Sequence, residues 1–126
     1  MTAGAVDVLY ASDHGLKGSA VQAISQATPG VQGTPQAADL FGWAVAAGRF
    51  RGTKVADLVA GIPNKDVHAP NDNAGAIAVL RGSSKGVTTA GDQFLTEGSA
   101  GLAGSPDPND EFGSELSGPK STIVND

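Results

Sequence analysis

Short apolar runs alternate with turn residues along the whole chain. Residues 5–10 read as a strand, with β-branched and aromatic side chains after Gly4. Residues 21–25 alternate apolar and polar, the period of a half-buried strand. Residues 41–47 read as an inner strand, 56–61 as the next, stopped by Pro63, and 75–81 and 92–96 as two more. Between them lie turns at residues 12–15 and 83–86 and loops at residues 28–38 and 64–73, rich in Gly, Pro, Asn and Thr. The tail after Pro119 holds one β-prone triplet, Thr122, Ile123 and Val124. Short strand patterns and glycines spread along the chain make the expected fold class all-β.

The pattern repeats. Phe41 and Phe112 are 71 residues apart, and residues 4–42 overlay residues 75–113 without a gap. Of those 39 positions 13 are identical, including Gly15 with Gly86, Gln22 with Gln93, Pro35 with Pro106 and Asp39 with Asp110. Turn and strand residues match together, which compositional bias does not produce. A repeated unit of four short strands closed by a glycine-rich return loop is the pattern of a propeller blade. A β-sandwich of short strands is the alternative, but it has no need of a fixed period.

Composition narrows the function classes. Hydrophobic residues make up 40% of the chain and aromatic residues only 5%, so the core is built from Val, Leu, Ile and Ala. The 18 glycines are about twice ordinary usage and fit many tight turns. A net charge of −5 argues against a nucleic-acid surface, which needs a basic face. No stretch approaches the roughly 20 apolar residues of a membrane span. Residues 1–3 run straight into a strand pattern, so no signal peptide is expected. The absence of cysteine removes disulfides and thiolate metal sites.

Phe41-Gly42, a glycine-bounded connection, then Asp57-Leu58-Val59-Ala60-Gly61-Ile62-Pro63 resemble the FG-GAP repeat of integrin α-type β-propellers. Residues 75–80 and 83–87 resemble its later strands, and the likeness covers about residues 4–116. The resemblance implies blades of four antiparallel strands. Residues 1–38 would be the second half of one blade with its return loop, 39–109 a complete blade, and 110–126 the start of the next. It implies a non-catalytic module for protein or glycan binding or adhesion, extracellular in location. An accessory propeller segment of a secreted hydrolase or inhibitor is the alternative. Phe41 and Phe112 would fill the space between blades, and Gly42 and Gly113 would let backbones approach. The family's calcium loop would place ligands at Arg49, Arg51, Thr53 and Asp57, of which only Asp57 has the required chemistry. No calcium or other cofactor is therefore expected. Residues 120–126, the equivalent stretch of the second repeat, hold no such motif either. Blades are held by their neighbours. The expected partners are further blades or copies of the chain, with the Phe112 strand of one joining residues 6–10 of the next. Three copies would then close a ring of about six blades.

The remaining polar groups read as structural. Arg49 and Arg51 flank Phe50 and are either an anion site or a solvated turn. His14 lies in a turn where the repeat has Lys85, and His68 lies in a loop with Lys65, Asp66 and Asp72 but without spacing that aims metal ligands. Asp107, Asp110 and Glu111 form an acidic group. Asp110 repeats Asp39 before Phe-Gly, which suggests that it accepts backbone N–H groups there. Trp43, whose counterpart is Ser114, is either core or a stacking surface. No nucleophile elbow, phosphate loop or dinucleotide fingerprint is present, so no catalytic residue is expected and a stand-alone enzyme is not the expected reading.

Overall fold

A computed structural model describes residues 3–12, 14–36, 38–49, 51, 53–67, 73–97, 99, 107 and 109–116. The described residues are all-β, with no helix and two antiparallel sheets. β1 (Val6–Ser12) and β2 (Gly15–Ile24) form a hairpin. β3 (Val45–Gly48), β4 (Asp57–Ile62), β5 (Ala76–Ser83) and β6 (Gly86–Leu95) form a four-stranded meander in chain order. The triplet at residues 122–124 and the stretch at 120–126 lie outside the described residues.

The sequence repeat is also a repeat of geometry. Val6 pairs with Ile24 and Val8 with Gln22, and 71 residues on Ile77 pairs with Leu95 and Val79 with Gln93. Both hairpins slip register at the same place, so that Tyr10 pairs with Lys17 as Arg81 pairs with Thr88. Each hairpin is closed by a glycine at positive φ, Gly15 at 100° and Gly86 at 110°. The return segments match too. Ala38, Leu40 and Gly42 take positive φ, as do Asn109, Glu111 and Gly113. Phe41 N–H donates to the Ala3 carbonyl at 2.8 Å, and Phe112 N–H to the Ala74 carbonyl at 2.8 Å.

The core lies between the hairpin and the meander. Side chains directly opposite on paired strands share a face. Leu58 with Leu80, Ala60 with Ala78 and Phe94, and Ile62 with Ala76 make one face of the meander. Val6, Val8 and Ile24 of the hairpin pack on that face, together with Val31 and Phe41. Phe41 is 2% exposed and Ile24 1%. Each such side chain contributes roughly 1.5–3 kcal/mol by burial. The alanines at 60, 76 and 78 are fully buried and let the two layers approach closely. The layers are also tied by polar contacts. Tyr10 hydroxyl donates to Gln22 Oε1 and accepts from Val87 N–H at 2.8 Å, while Gln22 Nε2 donates to the Val87 carbonyl at 2.7 Å. Gln32 N–H donates to Asp92 Oδ2 at 2.9 Å, and Gln32 Nε2 to the Asp92 carbonyl at 2.8 Å.

Three strand starts differ from the sequence expectation by four residues or more. The strand expected at residues 41–47 begins only at Val45. Leu40 at φ 65° and Gly42 at φ 86° curl the chain, and Trp43 N–H closes the turn on the Leu40 carbonyl at 2.9 Å. The strands expected at 21–25 and 92–96 begin earlier, at Gly15 and Gly86. Their first halves contain Gly18, Ser19, Thr88 and Thr89, which show no alternation in sequence yet complete the ladders.

Gly75 sits where the return segment crosses the sheet, and a Cβ there would lie 2.2 Å from Phe112 N and 2.3 Å from Phe112 O, at φ 89°. Gly15 has a similar φ of 100° but open space around it. We expect Gly15→Ala to cost about 1 kcal/mol of backbone strain. Gly75→Ala should cost more than about 3 kcal/mol, because backbone must move as well. Urea unfolding midpoints of the two variants check this; equal midpoints would contradict it.

Candidate functional site

The connection from β3 to β4 carries the chain's arginine pair. Arg49 is exposed. Arg51 turns back on Asp57, the first residue of β4, with Nη2 at 2.7 Å and Nε at 3.1 Å from Oδ1. Its Nη2 also donates to the Gly82 carbonyl at 3.0 Å. Asp57 Oδ1 accepts the Gly82 N–H as well, at 2.9 Å. The hydrogen bond from Arg51 holds the Asp57 carboxyl below its ordinary range, against the opposing effect of burial. Asp57 Oδ2 is buried without a hydrogen-bond partner. Thr53 hydroxyl donates to the Val55 carbonyl at 3.0 Å. Arg51 is thus neither a free anion receptor nor merely a repelling charge. It neutralises the Asp57 carboxylate, and it bridges β4 to the end of β5. Phe50, between the two arginines, lies outside the described residues.

The Asp39–Lys65 pair was not legible in the sequence. Lys65 is 6% exposed, and its Nζ donates to Asp39 Oδ2 at 3.0 Å and to the Thr34 carbonyl. The same Oδ2 accepts Gln36 N–H at 3.0 Å, the backbone role anticipated for this aspartate. In the second copy Asp110 Oδ2 accepts Asp107 N–H at 3.0 Å in the same way. Glu97 approaches this acidic group. Partial withdrawal from water, then the hydrogen bond and charge of Asp110 and the charge of Asp107, raise its pKa. Glu111 is exposed and gives its N–H to the Asn73 carbonyl at 3.0 Å.

Trp43 is resolved towards the surface. It is 66% exposed and precedes Val45, itself 50% exposed. Val45 and Ala47 pair with Ala60 and Leu58, so they lie on the core-facing side of the sheet, beyond the reach of the hairpin. The result is an apolar strip beside the packed core. His14 is exposed at the hairpin turn, and Asp66 Oδ1 accepts Asn73 N–H at 3.2 Å. His68 and Asp72 lie outside the described residues. Among the described residues no three His, Asp or Glu side chains converge on a metal-sized site. No helix among them is long and apolar enough to cross a membrane. No family model, curated protein or solved structure matches this chain.

The Asp57 ion pair has a pH signature. A carboxyl whose folded pKa lies below its ordinary 3.8 contributes stability that is present above that value and lost as pH falls through the folded pKa. Glu97 acts oppositely: its contribution is present below 4.5 and lost as pH rises through the raised value. Comparing wild type with Asp57→Asn cancels Glu97, which both share. The stability gap between them should be constant from neutrality to about pH 5 and narrow progressively as pH falls below about 4. A gap in urea melts that does not change between neutrality and about pH 2 would contradict the pairing.

Proposed function

We propose that the chain is a non-catalytic binding module built from about two FG-GAP-type β-propeller blades. It recognises a protein or glycan through the apolar strip around Trp43. The blade reading is supported by the repeated hairpin register and by return segments with the same sequence of left-handed residues. The observation that carries the binding reading is the exposure of the chain's one tryptophan beside an exposed valine. Indole faces stack on sugar rings and anchor protein interfaces, and leaving one in water has no benefit for folding. Arg51 is held by Asp57 and is not free to receive an anion, which leaves the apolar strip as the proposed recognition surface.

An immobilised array of glycans and extracellular-matrix proteins tests this. Spots retained by the wild type should lose affinity about tenfold or more with Trp43→Ala. Titration of the strongest soluble glycan should also quench or shift Trp43 fluorescence. Retention unchanged by Trp43→Ala, or turnover of generic esterase, phosphatase or glycosidase substrates, would overturn the proposal.

A further inference from the structure

The repeat exposes at one end of the molecule what it buries at the other. In the hairpin, the face formed by Val6, Val8, Gln22 and Ile24 is covered by the meander. The equivalent face of the meander, 71 residues on, is Ile77, Val79, Gln93 and Leu95, joined through β4 by Val59. Among the described residues no sheet covers it, and only the return segment at Gly113 lies against Ile77. Val6 is 9% and Ile24 1% exposed, whereas Ile77 and Leu95 are only half-buried; Gln22 is half-buried where Gln93 is exposed, and Val8 and Val79 are alike half-buried. Phe41 is sealed in the core, but Phe112, held by the same backbone hydrogen bond, is half-buried. Backbone geometry is the same in both places, so the missing burial reflects a missing layer.

The complementary layer is also on the page. Within the chain, the covering surface is the meander face that carries Leu80. Its repeat equivalent in the hairpin carries Leu9, opposite Val21, and these are 44% and 47% exposed. On this face Ala5, Asp7 and Leu9 stand where the covering sheet has Ala76, Ala78 and Leu80, so the hairpin presents the β5–β6 part of a covering surface of which the chain already contains one finished example, without the part that β4 supplies. We infer that the Val59, Ile77, Val79 and Leu95 face binds the Leu9 and Val21 face of a second copy of this chain, head to tail. Gln93 repeats Gln22, whose Nε2 clamps the Val87 carbonyl. In the second contact Gln93 donates to the backbone carbonyl of residue 16 of the next copy, the position equivalent to Val87. Two different patches meet, so the contact is heterologous and leaves one of each patch free for further copies. This inference rests on the repeated register and not on the binding role of Trp43.

Sedimentation velocity on the 126-residue chain tests it, with Leu9→Lys on one face and Gln93→Lys on the other. Both positions are exposed in the single chain, so the variants should keep the wild-type circular dichroism; Val21→Lys replaces Leu9→Lys if that variant does not fold. The wild type should pass from 12.5 kDa to higher mass as concentration rises. Each variant alone should associate at least about tenfold more weakly, since a lysine is buried unpaired. An equimolar mixture should recover a dimer, because each variant keeps the patch that the other lacks. A wild type that stays at 12.5 kDa up to near-millimolar concentration would overturn the inference. So would variants that associate like the wild type, or a mixture that recovers nothing. The first of these results would also be the one expected if the face is covered only by a further repeat of a longer chain.

Discussion

The stacking of a two-stranded hairpin on a four-stranded sheet is the interaction on which everything else in this molecule depends. An isolated hairpin is at best marginally stable in water. Here Val6, Ile24 and Phe41 gain their burial only by lying on Leu58, Ala60, Ile62, Ala76, Ala78 and Leu80. The small residues at 60, 76 and 78 bring the layers close, and the larger ones around them fill the gap. The sheet gains as much from the contact, because without the hairpin its central strands would present a continuous apolar face. Tyr10 and Gln22 then fix the lateral position of one layer on the other by bonding both polar groups of Val87.

That stacking explains the polar features as well. The return segment must bring Phe41 from the far end of the hairpin into the shared core. It does so through left-handed residues at Ala38, Leu40 and Gly42 and through Asp39, whose carboxylate ties Gln36 and Lys65 together. A buried lysine and aspartate are costly to desolvate and are not an efficient source of stability. Their value lies in direction: Asp39 fixes the crossing, and Lys65 anchors the next loop and the Thr34 carbonyl to it. Arg51 and Asp57 play a comparable part at the other end of β4, joining the connection to Gly82 at the end of β5. Charge in this protein is spent on aiming backbone.

The repeated architecture was legible in the sequence because repetition is carried by residues with strong local demands. Gly15, Gly42 and their counterparts occupy left-handed backbone, and Phe41 and Phe112 mark the crossings. The central strands were legible as apolar runs. Other features depend on tertiary neighbours and leave no local trace. Lys65 sits in a polar loop sequence, and only the approach of Asp39 and Thr34 makes it a buried group. Arg51 reads as a charge hostile to a cation; its pairing with a carboxylate six positions later needs the curl of the connection. Trp43 looks like a strand residue because its neighbours are apolar, but Leu40 and Gly42 bend the chain before the strand begins. The first halves of β2 and β6 are edge-strand segments with Gly, Ser and Thr, so burial imposes no period on them.

Native-state hydrogen exchange measures the dependence of the hairpin on the sheet most directly. If stacking holds the molecule together, the slowest amides of β1 and β2 share one opening free energy with those of β4 and β5, equal to that of global unfolding. Amides of β1 and β2 that exchange through a separate, much lower-energy opening while β4 and β5 stay protected would contradict the account.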